Sequence, residues 1–459
     1  LDDAVVFFEK SILRDRALII ENMRLVDVGE PNQEKVVGII DEFGQAANRD
    51  WPGKVKSVEQ LKQFALAEIN ALADSGPLPN RSKYGGWASG PQLEATGYFR
   101  TEKIGDRWAL IDPEGFLFFS HGLANIRMTD ASTMTGIDYS DYGKKAGRQV
   151  SSELRRSLFE WLPDAEDPLY RHNRYVPFVH TGAVSKGEAF SFYSANLERK
   201  YGSTWFDAWM AVTVLRFLDW GFTSFGNRAD PGFFRNGKLP YFAHGNISGD
   251  HATVSSGSDY WGPLHDPFDP KFADSVRYTI YQVASQVQND PWCVGVFIEN
   301  ELSWGNTSST TARYGLVIDT LSRSADESPA KKAFVEILKI KYGDIQSLNA
   351  AWNTRIKSWN AFARSVDHNA SLTTERLADY SALLFALSNK FFEVTSTELG
   401  KIMPNHLYVG SRFAEWGMTP EVIRGAAAHV DVVSYNVYTE GLAADKWDFL
   451  ADIDMPSLI

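Results

Sequence analysis

Apolar positions along the chain recur with two periods. Residues 57–73 repeat at helical spacing, with Ser57 placed to cap the start, Gln60 at the capping-box position and Asp74-Ser75-Gly76-Pro77 as a stop. The same spacing predicts helices over 204–220, 271–288, 330–342, 345–352, 373–400 and 420–428, with Gly221 where a C-terminal glycine belongs. Between them lie short apolar runs at 116–120, 223–226, 294–298, 407–410 and 430–435, which read as buried strands. Strands that alternate with helices imply a parallel sheet covered on both faces. At 459 residues the expected form is a (β/α)8 TIM barrel with an appendage.

The region ahead of this alternation reads differently. Residues 1–28 are β-like until Gly29-Glu30-Pro31 breaks the pattern, as in the last strands of a separate β domain. Residues 75–97 are rich in Gly, Pro and Ser and read as a surface loop. Strands over 98–110 and 115–120 are joined by a turn at Asp112-Pro113-Glu114-Gly115. Residues 125–200 lack periodicity; in a barrel, such an insertion is expected to build the wall of an active-site cleft.

Composition narrows the function. A net charge of −12 argues against nucleic acid as a partner, which needs clustered cations. No apolar stretch reaches the length of a membrane span. No GxGxxG follows a strand, which weakens a dinucleotide-binding reading. The lone cysteine, Cys293, excludes an intrachain disulfide and reads as a small core hydrophobe. The chain contains 14 Trp, 18 Tyr and 29 Phe, a supply of rings suited to sugar faces as well as to a core. It starts at Leu1-Asp2-Asp3 and stops inside an apolar run, so it is expected to be a piece of a longer protein.

The strongest chemical signal is 294–304, an apolar strand running into Glu299-Asn300-Glu301-Leu302-Ser303-Trp304. Barrel enzymes set catalytic groups at the C-terminal ends of strands. Glycoside hydrolysis needs a carboxylic acid beside the leaving oxygen, and a nearby apolar wall such as Trp304 suits that role. Glu301 is the expected acid/base, with Asn300 supporting it. Glu415 is the runner-up carboxylate if the strand count is off. Side-chain alternation would aim Glu299 and Glu301 the same way unless the backbone turns between them. Strand ends supply candidate sugar contacts: His121 and Asn125, Asn227 and Arg228, Trp304, Arg412 and Trp416, and Tyr435, Asn436 and Tyr438. His244, His251 and His265 read as lying in one loop with Asp250, Asp259 and Asp266. These are expected to satisfy one another or touch substrate, and neither metal nor cofactor is expected.

Several longer motifs add to this. The stretch from Gly86-Trp87-Ala88-Ser89-Gly90-Pro91 through Tyr98-Phe99 resembles the family 50 β-agarases. So do Asp112-Pro113-Glu114-Gly115, Ser120-His121-Gly122, Asp41-Glu42-Phe43-Gly44-Gln45 and Trp51-Pro52-Gly53-Lys54. Lys341-Tyr342-Gly343-Asp344 through Trp352 is similar to a helix pair of β-galactosidase/agarase-type barrels. The resemblance covers roughly 36–459. It implies a secreted, periplasmic or outer-surface retaining glycoside hydrolase that cleaves β-1,4 bonds of agarose, exo-acting and releasing neoagarobiose. A β-galactosidase, another polysaccharide hydrolase and a non-catalytic carbohydrate-binding barrel remain the alternatives. It also implies an organisation: residues 1–30 as the end of a β-sandwich carbohydrate-binding-like domain, 31–115 as a linker and barrel-capping segment, and 116–459 as the catalytic barrel, cut after strand seven. In that clan the acid/base follows strand four and the nucleophile Glu follows strand seven. Counted from Glu301, the nucleophile is expected beyond Ile459.

Overall fold

The structure, a computed structural model, describes residues 36–74, 76, 78–129, 132–138, 152–179, 185–366, 372–414, 417–441, 451 and 453–459. The β-sandwich expectation for residues 1–30 falls outside the described residues, as do Glu415 and Trp416. The described residues divide between two compact units, one from Leu1–Val55 and Ser132–Tyr193, the other from Lys56–Ala131 and Ser194–Ile459.

In the first unit, Thr133–Met134, Gly187–Phe190 and Asn173–Val176 form an antiparallel sheet with Gly187–Phe190 in the middle. Its core is aromatic: Phe190 is fully buried and meets Phe192 edge-on, and Phe192 stacks on Phe159. The described strands within 125–200 are two to four residues long, too short to show a period in the sequence.

The second unit is built on parallel strands that neighbour one another in chain order. These are β1 (Gly122–Leu123), β2 (Ser224–Phe225), β3 (Tyr241–Gly245), β4 (Cys293–Ile298), β5 (Leu407–Tyr408), β6 (Val433–Ser434) and β7 (Ser457–Leu458). Ladders join β1 through β5 and join β6 to β7. A parallel bridge between Phe413 and Tyr435 links β5 to β6. Every residue of β4 is buried, as a strand covered on both faces requires. Val294 and Phe297 share one cluster with Phe242, Leu407, Val409 and Val432, while Cys293, Val296 and Ile298 face the helices. Gly295 is needed where β4 and β5 approach closely: a Cβ there would lie 2.5 Å from Val409 and 2.7 Å from the Leu407 carbonyl. Burial raises the Cys293 thiol to about 12, in keeping with an inert core thiol.

The helices follow the predicted spans closely. They include α1 (Val58–Asp74), α2 (Trp205–Asp219), α3 (Pro270–Val287), α4 (Pro329–Tyr342), α5 (Thr374–Ile402) and α6 (Pro420–Ala427). At the head of α1, the Gln60 amide N–H donates to Ser57 Oγ at 3.2 Å and Gln60 Oε1 accepts the Lys56 N–H at 2.8 Å, a capping-box exchange displaced by one residue. Among the described residues no helix is long and apolar enough to cross a membrane.

Two strand expectations change. Residues 117–118 pair antiparallel with Arg107–Ile111 in a three-stranded sheet, and the first parallel strand is Gly122–Leu123. Tyr241–Gly245 is a strand that the sequence hides, because five residues between Pro240 and Asn246 look like loop.

The α1–α2 contact carries a testable electrostatic term. Arg216 grips Glu68 through Nε at 2.6 Å and Nη2 at 2.8 Å, and Lys200 Nζ adds a bond at 3.0 Å. The Arg216 hydrogen bonds foremost, then Lys200, hold the Glu68 carboxyl down from 4.5 to about 2. A depressed carboxyl contributes stability above its unfolded value and loses it as pH falls through the folded one. Glu68→Gln should therefore cost about 1 kcal/mol at neutral pH, solvent screening included. The difference from wild type should shrink between pH 4.5 and about 2 in denaturant titrations.

Candidate active site

The sheet's C-terminal edge carries an unusual backbone feature. Asn125 after β1, Arg228 after β2, Glu299 and Glu301 after β4, and Arg412 after β5 all have positive φ, between 49° and 69°. Each such residue costs on the order of 1 kcal/mol or more, and strain of this kind collects where surroundings fix a functional geometry.

Past β4 the backbone turns, so the two glutamates diverge. The Glu299 N–H donates to the Gly245 carbonyl at the end of β3, whereas the Glu301 N–H reaches the Ser411 and Arg412 carbonyls after β5. Glu301 is 6% exposed. Its Oε2 accepts the indole N–H of Trp261 at 3.0 Å, and its Oε1 accepts from the Asn436 amide. Asn300 Oδ1 accepts from Arg412 Nη1 at 3.1 Å, and that guanidinium lies 5.8 Å from the centre of the Phe297 ring. Burial lowers Arg412 below the usual arginine value. Glu299 Oε1 accepts the Ile247 N–H and stands 3.4 Å from His265 Nε2.

Asn227 is buried at the end of β2, and neither polar atom of its amide has a hydrogen-bond partner among the described residues. It lines a cavity of ≈ 90 Å³ with Arg412, Phe242, Phe297 and Tyr435. His244 Nε2 pairs with Asn246 Oδ1 at 2.8 Å, leaving Nδ1 buried without a partner. Desolvation pushes His244 down to about 4, so at neutral pH its bare ring nitrogen is an acceptor. Such unspent donors and acceptors suit sugar hydroxyls.

Of the residues singled out in the sequence, Glu301, Asn300, Arg412 and Asn436 meet directly. Asn125 joins through its N–H to the Asn227 carbonyl, and Tyr438 stands 86% exposed at the end of β6. His121 is not brought to this group. It precedes β1 and is bonded to Thr223, which precedes β2, so it sits at the opposite end of the sheet. Trp304 is fully buried, edge-on to Phe391 and stacked on Phe392, which makes it core beneath the site and no sugar platform. The histidines read as one loop separate: His244 lies in β3, and His251 bonds His265.

Trp261 was not legible as a site residue. It is 53% exposed, sits edge-on to the half-exposed Tyr260, and comes from an aperiodic polar loop where only the adjacent rings hint at a role.

Comparison with known proteins adds an independent line. The chain is 47% identical over 451 residues to β-agarase B of Vibrio sp. (strain JT0107), and 38% identical over 466 residues to β-agarase A of the same strain. Each match takes in 97% of this chain but only 47% and 45% of the relative, so the chain spans about half the length of these curated relatives. A solved agarase superposes with a TM-score of 0.87 at 48% identity, covering 93% of this chain and 61% of that one. An exo-β-agarase gives 0.86 at 47%, with the same coverage. The β-galactosidase family (Glyco_hydro_42) matches residues 265–455. In sequence and fold the chain resembles the family 50 β-agarases, and its fold is the α/β fold of agarase and β-galactosidase glycoside hydrolases.

Proposed function

We propose that this chain carries the acid/base half of a glycoside hydrolase that cleaves β-1,4 linkages of agarose with retention, from a chain end, releasing neoagarobiose. The observation that carries the proposal is Glu301, a buried carboxyl at the end of the fourth parallel strand, held by Trp261 and Asn436. In this reading Glu301 protonates the glycosidic oxygen and then deprotonates the water that releases the product. Asn300, Arg412, Asn227, Asn436 and Tyr438 bind sugar hydroxyls, with Trp261 as the ring beside the scissile bond. The nucleophilic carboxylate that double displacement requires is assigned by the family resemblance to a position after β7, beyond Ile459. The seven strands in chain order are read as most of a (β/α)8 barrel, and 1–30 as the end of a carbohydrate-binding-like domain. An uncharged polymer agrees with the chain's net charge of −12. The proposed place of work is outside the cell.

The β-galactosidase family match over 265–455, which includes Glu301, favours a second reading as a β-galactosidase. Incubating the full-length protein with agarose, porphyran and aryl β-galactosides separates the two. Neoagarobiose released first as the β-anomer, followed by NMR, is the expected result. Hydrolysis of aryl galactosides with agarose left intact would overturn it.

A further inference from the structure

Behind Glu299 runs a line of polar groups that acid/base catalysis at Glu301 does not itself use. Ser275 on α3 donates its hydroxyl to the Lys271 carbonyl at 3.1 Å. With that hydrogen on the carbonyl, the 2.8 Å contact between Ser275 Oγ and His251 Nδ1 takes its hydrogen from His251. His251 Nε2 is then an acceptor and takes the N–H of His265 Nδ1 at 2.6 Å. This leaves His265 Nε2 facing Glu299 Oε1 at 3.4 Å, an oxygen that already accepts the Ile247 N–H. A bare ring nitrogen against a carboxylate oxygen would repel. One proton between them turns the contact into an ion pair.

We propose that Glu299 and His265, with His251 behind them, share one proton and act as positioning residues that set the left-handed turn from which Glu301 projects. This rests on the reading of Glu301 as the proton donor. Glu299 and Glu301 both have positive φ, at 69° and 53°, and only Asn300 separates them, so a swing of Glu299 off Ile247 and His265 would re-aim Glu301. The other groups facing the pair are His244 from β3 and Tyr408 from β5, with Asp269 and Asp250 acting through His251. Burial, and next the neighbouring His265, push His251 down, which keeps it neutral and able to accept. The His265 ring also lies near-parallel to Phe272 and Phe391, so a packing role has to be separated from a polar one.

The test uses the full-length protein. His265→Phe preserves ring packing and removes the proton. It should lower kcat on agarose oligosaccharides by about tenfold or more while KM stays within about twofold. His265→Gln restores an N–H donor and should recover most of that loss. In protein labelled with ¹⁵N-histidine at neutral pH, His265 should show both ring nitrogens protonated. That signature should disappear in Glu299→Gln, which keeps an acceptor for the Ile247 N–H but removes the negative charge that holds the second proton. A singly protonated His265 in the wild type, or a folded His265→Phe with unchanged kcat, overturns the proposal. If Glu301→Gln instead kept full turnover, the catalytic reading would fail, while the ring signature would still report on the pair.

Discussion

Replacing Glu301 by Gln in the full-length protein should lower kcat on agarose oligosaccharides by about 10²–10⁴-fold and leave KM nearly unchanged. The substitution keeps the shape of the side chain. A Gln oxygen still accepts the Trp261 N–H, so the turn and the neighbouring rings stay in place. On the proposed reading, what is lost is the proton that Glu301, held by Trp261 and Asn436, gives to the leaving oxygen. Binding depends on the other strand ends and should persist, which isothermal titration with an agarose oligosaccharide checks. A loss of binding equal to the loss of rate would instead mark Glu301 as a structural anchor.

The second large effect is on stability. Asp379→Ala should cost about 3–5 kcal/mol and lower Tm on the order of 10 °C, measured by calorimetry. Asp379 lies on α5 and is 1% exposed. It accepts from Lys341 Nζ at 2.6 Å, Tyr342 Oη at 2.7 Å and Trp352 Nε1 at 2.6 Å. Trp352 is fully buried, so removing the carboxylate strands its N–H without solvent. Asp379→Asn keeps an acceptor for Trp352 and should cost less. The bonds explain why the stretch 341–352 reads as a family motif: its Lys, Tyr and Trp converge on one buried carboxylate, in aid of the fold and not of the chemistry.

The sequence discloses the elements that have a period and hides those that do not. The spans of α3, α4 and α5 follow from apolar spacing, and β4 from its unbroken apolar run. β3 is missed because its five residues sit between turn formers and carry a histidine. His121 is misplaced because a run at 116–120 looks like the first barrel strand, while the chain there closes an antiparallel meander and starts the parallel sheet only at Gly122. For the site, Glu301, Asn300, Arg412 and Asn436 are legible because polar residues follow apolar strands at one edge. Trp261 comes from a loop with no pattern, and its meeting with Glu301 spans 40 residues. Trp304 reads as a sugar platform by adjacency alone, yet its ring turns under the turn into the core. The Glu299–His265–His251 line is equally invisible, since it needs the fold to carry an aperiodic loop behind β4.

The central claim is that Glu301 delivers a proton to the leaving group, and leaving-group dependence tests it most directly. The measurement is the pre-steady-state burst of Glu301→Gln on a dinitrophenyl β-glycoside of the product disaccharide, set against turnover of an agarose oligosaccharide. Dinitrophenolate leaves without protonation, so the burst should keep the wild-type rate while oligosaccharide cleavage collapses. An equal loss on both substrates, or on neither, would contradict the assignment.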